Sequence, residues 1–69
     1  MAEERTPSQR IRDLRLEQGM RQADVAAASG LRVETISRLE KGHWKPSERA
    51  LRDLARALEV SVDDLTDDQ

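Results

Sequence analysis

Glu34, Ser37, Arg38 and Lys41 recur within the stretch 33–41 at three- and four-residue spacing. At about 100° per residue around a helix axis they share one side, with Val33 at its edge, while Ile36 and Leu39 point the other way. The polar side offers a carboxylate, a hydroxyl, a guanidinium and an ammonium group. Such a set can both donate and accept hydrogen bonds. It suits the base edges of a DNA major groove, where Arg prefers guanine and Glu can accept from cytosine. The same pattern also fits the solvated face of an ordinary bundle helix.

Other chemistry is poorly supplied. His43 is the only histidine, and alone it builds neither a metal site nor a catalytic triad; it reads as a surface or phosphate-contacting residue. Cysteine is absent, which removes disulfide frameworks and thiolate metal sites. Asp63, Asp64, Asp67 and Asp68 cluster near the end, but they lack the glycine and terminal Glu of a calcium-binding loop. Helix capping and solubility account for them better. No nucleophile–base pair, glycine-rich phosphate loop or metal cluster stands out, so the expectation is a protein that is not an enzyme and that needs no cofactor or metal.

The elements that must position the polar stretch are short helices. With 69 residues the chain holds one small domain, and its core is marginal unless the helices pack well. The pattern predicts an all-α, compact five-helix bundle over 7–66, preceded by a disordered N-terminal arm over 1–6 and followed by an acidic tail over 67–69. Thr6, Pro7 and Gln9 form a helix start, with Thr6 as cap, and the first helix should run over 7–18 until Gly19 stops it. Ile11 and Leu14 should face the core. A second helix over 22–29 uses Val25 and Ala26 as core contacts, with Ala27 and Ala28 small enough for another helix to approach closely. Gly30 makes a tight turn, Leu31 plugs the angle, and the third helix follows over 33–41. Gly42 stops that helix. Pro46 disfavours helix in the residue before it, so 43–46 is a loop. Within it, Trp44, the only aromatic residue, either covers the core or lies against a sugar or a dimer partner. Ser47 caps a fourth helix over 48–58 with the stripe Leu51, Leu54, Ala55 and Leu58. Ser61 and Asp64 open a short fifth helix.

Charge is unevenly spread. The net charge is −2, yet residues 5–49 carry ten basic and six acidic side chains while residues 50–69 carry two and six. A basic body with an acidic end can offer a positive face to phosphates despite its total. No apolar run approaches the roughly 20 residues of a membrane span, and the first residues are polar, so a soluble intracellular protein is expected.

In order and spacing, Gln9–Arg15, Gly19–Gln22, Asp24-Val-Ala, Gly30-Leu, Thr35–Gly42, Lys45-Pro-Ser47 and Leu54-Ala-Arg-Ala-Leu resemble the Xre/Cro-type (lambda-repressor-like) helix-turn-helix DNA-binding domain. The resemblance implies that the third helix enters the major groove, with Arg32, Val33, Glu34, Ser37 and Arg38 as base-reading positions. It implies phosphate contacts from Gln22, at the start of the second helix, and from Lys41, His43 and Lys45 in the following loop. It also implies a structural salt bridge between Arg15 and Glu40. Two positions depart from the pattern. Arg21 and Arg32 stand where the family usually has Ser or Thr caps, and Arg can neither cap nor suit the positive end of a helix. Each either trades stability for a phosphate contact or has simply drifted. Glu59 stands where a glycine often ends the fourth helix.

The function so implied is a sequence-specific transcriptional regulator, a repressor or autoregulator, binding double-stranded DNA as a homodimer. Val60, Val62 and Leu65 are the dimer-interface candidates, with plain core as their other role. The expected location is the cytoplasm, bacterial or phage-encoded and at the nucleoid, with no membrane association. The competing reading is an antitoxin or adaptor that uses the same fold for a protein partner.

Overall fold

A computed structural model describes residues 7–66. The expectations for the arm, for the Thr6 cap and for the tail lie outside the described residues. Five helices follow one another: α1 Pro7–Glu17, α2 Gln22–Ser29, α3 Val33–Glu40, α4 Glu48–Leu58 and α5 Val62–Thr66. No strand occurs among the described residues. The central contacts are those of α2 with α4 and with α3, while α5 packs on α1 and α4.

Each helix end has a local cause. Helix α4 starts at Ser47, whose hydroxyl accepts from the Ala50 N–H at 3.1 Å. At α5 the Ser61 hydroxyl accepts from the Asp64 N–H and the Asp64 carboxylate accepts from the Ser61 N–H, a reciprocal capping box. Helix α2 ends at Gly30 in the left-handed region, φ 80°, where the Leu31 N–H reaches back to the Ala26 carbonyl. Helix α4 ends with the same geometry on a residue that resists it. Glu59 sits at φ 60° and ψ 43°, and the Val60 N–H bonds the Ala55 carbonyl at 2.9 Å. The turn is that of a glycine cap, so the exit of α4 is in place without its usual residue, at a steric cost to Glu59.

Ile11, Val25, Ala26, Ile36, Leu39, Leu54, Ala55, Leu58 and Leu65 form the buried core, with Leu14, Met20, Leu31, Trp44, Leu51, Val60 and Val62 packed around it. Trp44 therefore lies partly buried against its own chain. Polar reach supplements the apolar contacts. The Gln18 amide donates to the Leu58 carbonyl at 2.7 Å, and Arg10 Nε donates to the Asp64 carbonyl at 2.8 Å. These bonds tie the end of α1 to the end of α4, and the first turns of α1 to α5.

Four expectations need correction. Helix α1 ends at Glu17, and Gln18 belongs to the turn. Lys41 is the cap of α3 and not its last residue. Ala27 and Ala28 are exposed; the close approach to α2 is made by Ala26 and Ser29, which share one side with Val25. Leu65, offered as a dimer contact with plain core as its other role, takes the core role and has no exposed surface, because α5 lays it into the seam with α1 and α4. Glu59→Gly tests the strained turn. It should raise the unfolding free energy by about 1 kcal/mol, seen as a rise in melting temperature of about 4–8 °C.

Candidate nucleic-acid interface

Helix α3 presents the polar side read from the sequence. Ile36 and Leu39 are buried at 0% and 1% exposure, anchoring the helix against the core. Arg32, Glu34, Arg38 and Lys41 are exposed, Ser37 is half-buried, and Val33 keeps 43% of its surface open. An apolar group, a carboxylate, two guanidiniums and an ammonium thus stand on one convex ridge.

The placement of that ridge depends on an ion pair behind it. Arg15 of α1 meets Glu40 of α3 through two parallel bonds, Nε to Oε2 at 2.7 Å and Nη2 to Oε1 at 2.9 Å. Its remaining Nη1 donates to the Met20 carbonyl in the α1–α2 turn at 3.0 Å. Both side chains are largely buried, at 11% and 5% exposure. The hydrogen bond that Arg15 donates to Glu40, helped by the negative charge there, raises the Arg15 pKa against the opposing effect of burial. Gln22, the first residue of α2, donates from Nε2 to Glu40 Oε1 at 3.1 Å. One carboxylate therefore gathers α1, α2 and α3.

The helix starts flanking the turn are thinly capped. Arg21 precedes α2 and Arg32 precedes α3, and neither side chain makes a cap hydrogen bond. At α2 the Asp24 carboxylate accepts from the Arg21 N–H at 2.8 Å, and Glu34 puts an acid into the first turn of α3. The 4.0 Å approach of Arg21 Nε to Asp24 is solvent-exposed and contributes little. Arg21 and Arg32 project into solvent beside the α3 ridge.

After α3 the chain turns at Gly42, φ 80°, and His43 and Lys45 are exposed on the loop while Trp44 points inward. Arg21, Gln22, Lys41, His43 and Lys45 thus border the ends of α2 and α3. Val60 and Val62 lie elsewhere, half-buried around α5. One residue near the ridge was not singled out from the sequence. Arg12 of α1 lines an open hollow with Gln22, Ser37, Glu40 and Lys41. Its signal was available: Arg12 lies one turn before Arg15 and so shares its flank of α1. Among the described residues, no group of three or more His, Cys, Asp or Glu could hold a metal ion, and no helix is long and apolar enough to cross a membrane.

Comparison with known proteins agrees with this geometry. A family model described as helix-turn-helix matches residues 11–65. An uncharacterized HTH-type transcriptional regulator of Archaeoglobus fulgidus is 43% identical over 56 residues, 81% of this chain and 80% of that protein; the chain spans only 44% of a second, longer relative. Among solved structures, the restriction-modification controller protein C.AhdI from Aeromonas hydrophila is similar with a TM-score of 0.83 at 32% identity, covering 86% of this chain and 89% of that one. The P22 c2 repressor protein, solved in complex with a synthetic operator, is similar with a TM-score of 0.84 at 30% identity, covering 91% and 96%.

The ion pair makes a direct prediction. Glu40→Gln keeps the shape of the side chain but leaves the Arg15 charge buried without its partner. Stability should fall by about 3 kcal/mol, measured by urea unfolding, whereas Glu34→Gln on the exposed ridge should change it by less than about 0.5 kcal/mol.

Proposed function

The chain belongs to the helix-turn-helix family, and from that premise we propose that it is a DNA-binding transcriptional regulator that reads the major groove with α3. The observation that carries this reading is the α3 ridge, whose polar groups stand outward over the buried Ile36 and Leu39. A helix held this way can lie in the groove with its N-terminal residues nearest the bases. Arg32, Val33, Glu34, Ser37 and Arg38 are then the base-reading set. Arg38 donates to guanine, Glu34 accepts from cytosine, and Val33 meets apolar base surface.

Arg21, Gln22, Lys41, His43 and Lys45 take phosphates on either side. This assignment accounts for the poor caps, because an anion at the start of α2 or α3 would satisfy orphan N–H groups and favour the helix dipole. Arg21 and Arg32 give up a capping bond in the free protein for a bidentate contact in the complex.

One recognition helix covers few base pairs, so the acting species is a homodimer on two half-sites about 34 Å apart. Its contact lies around α5, where Val60 and Val62 keep some exposed surface. Such a dimer works as a repressor or autoregulator in the cytoplasm, at the nucleoid.

Selection of bound sequences from a random duplex pool tests the reading. A palindrome supports the dimer, an asymmetric half-site supports a monomer on DNA, and no enrichment, with no retention on heparin, shifts the function to a protein partner. Arg38→Ala should relax the selected base preference, while Lys45→Ala should weaken all sequences alike. Arg32→Ser should raise stability by about 1 kcal/mol and weaken DNA binding, read by thermal melting and a salt-controlled mobility shift on the same sample.

A further inference from the structure

Helices α2 and α3 carry three acids, Asp24, Glu34 and Glu40. Two of them have a task inside the protein. Asp24 accepts from the Arg21 N–H at the start of α2, and Glu40 accepts from Arg15 and Gln22. Glu34 is exposed, and among the described residues its carboxylate has no hydrogen-bond or ion-pair partner. Arg38 stands four residues on, in the order that favours a helical ion pair, yet the two make none. A negative charge is thus held open within a ridge whose other exposed charged groups are Arg32, Arg38 and Lys41.

An acid in the first turn of α3 complements the helix dipole, but that role acts on the free protein and carries no base preference. Beside a duplex the charge repels phosphates, and toward base edges an ionised carboxylate is an acceptor only. Guanine shows it N7 and O6 and thymine shows it O4, so both repel it. Cytosine shows an N4 amino group, and adenine an N6 amino group next to an acceptor N7. Only those two edges can donate to Glu34, and cytosine does so without an opposing acceptor. Arg38 has the reverse chemistry, donating only. At 1.5 Å rise per residue the two sit about 6 Å apart along the axis, more than one base step of about 3.4 Å, so they address different base pairs.

We propose that Glu34 sets specificity by exclusion. Its open carboxylate weakens binding to DNA at large and rejects guanine and thymine at one operator position, and only a cytosine or adenine amino group there relieves the repulsion. The inference rests on the reading of α3 as a groove-binding helix. It goes beyond a favourable contact with cytosine, because the acid lowers affinity for every other sequence and so widens the gap between selected and unselected DNA. Glu34 is then a specificity-determining residue whose loss tightens binding to the wrong sequences.

The test compares the natural protein with Glu34→Ala and Glu34→Gln at one fixed salt concentration. Each is titrated with a selected duplex, with all its single-base variants and with a duplex of unselected sequence. The natural protein should show one position where cytosine exceeds guanine and thymine by about tenfold or more, with adenine between. Glu34→Ala should flatten that position and bind the unselected duplex several-fold more tightly. Glu34→Gln should also bind the unselected duplex more tightly, and should move the preference at that position to adenine, whose N6 and N7 an amide takes together. The melting temperatures of the three proteins should agree within about 4 °C. A lower melting temperature with every base preference kept marks Glu34 as a helix-start acid and overturns the proposal. Unselected DNA bound no more tightly by Glu34→Ala than by the natural protein also overturns it, and both results leave groove binding intact. Absence of binding to any duplex by the natural protein overturns groove binding and the proposal together.

Discussion

The Arg15–Glu40 pair is the constraint on which the arrangement depends. A core of Ile, Leu, Val and Ala buries Ile36 and Leu39, but burial of apolar surface is not directional. The paired guanidinium and carboxylate are directional. Two parallel bonds, a third to the Met20 carbonyl and a fourth from Gln22 specify how α3 lies across α1 and the start of α2. Burial makes the specification costly to break, because losing one partner strands the other charge. It also explains how an acid can sit beside the basic groups around α3: its charge is neutralised within the protein.

The small size of the domain shapes the rest. With Trp44 as the only aromatic, the core must be filled by aliphatic side chains from all five helices, and each helix is short. Short helices expose a large share of unpaired end groups. The chain handles those ends in two ways. Away from the α2–α3 corner the caps are good, with Ser47 and the Ser61–Asp64 pair. At the corner, Arg21 and Arg32 make no cap bond. The weak starts thus lie beside the α3 ridge and the well-capped ones lie away from it.

The electrostatic layout follows the same division. The total charge is −2, an unpromising value for a nucleic-acid partner. The exposed acids Glu59, Asp63 and Asp64 gather at the α4–α5 end, however, while Arg12, Arg21, Arg32, Arg38, Lys41 and Lys45 surround α2 and α3 and outnumber the exposed acids Asp24 and Glu34 there. Within a Debye length of about 8 Å at physiological salt, a duplex beside α3 would meet the basic group and be screened from the acidic one.

Local features were legible in the residue order because their physics is local. The starts and stops of α2 and α4, the Gly30 and Gly42 turns and the Ser47 cap depend on residues within one turn of one another. The apolar side of α3 depends only on helical spacing. Non-local features were not legible in the same way. Whether Ala27 or Ala26 meets another helix depends on where α4 lies. Leu65 became core because α5 folds back onto α1 and α4. Arg12 joined Gln22 and Lys41 only when three helices met, and Gln22 acquired Glu40 as a partner in the same step. The residue order determined which helices form and which side of each is greasy, since those follow from backbone and side-chain preferences over a few residues. The tertiary structure alone decided which polar groups face one another, because that depends on contacts between segments far apart in the chain.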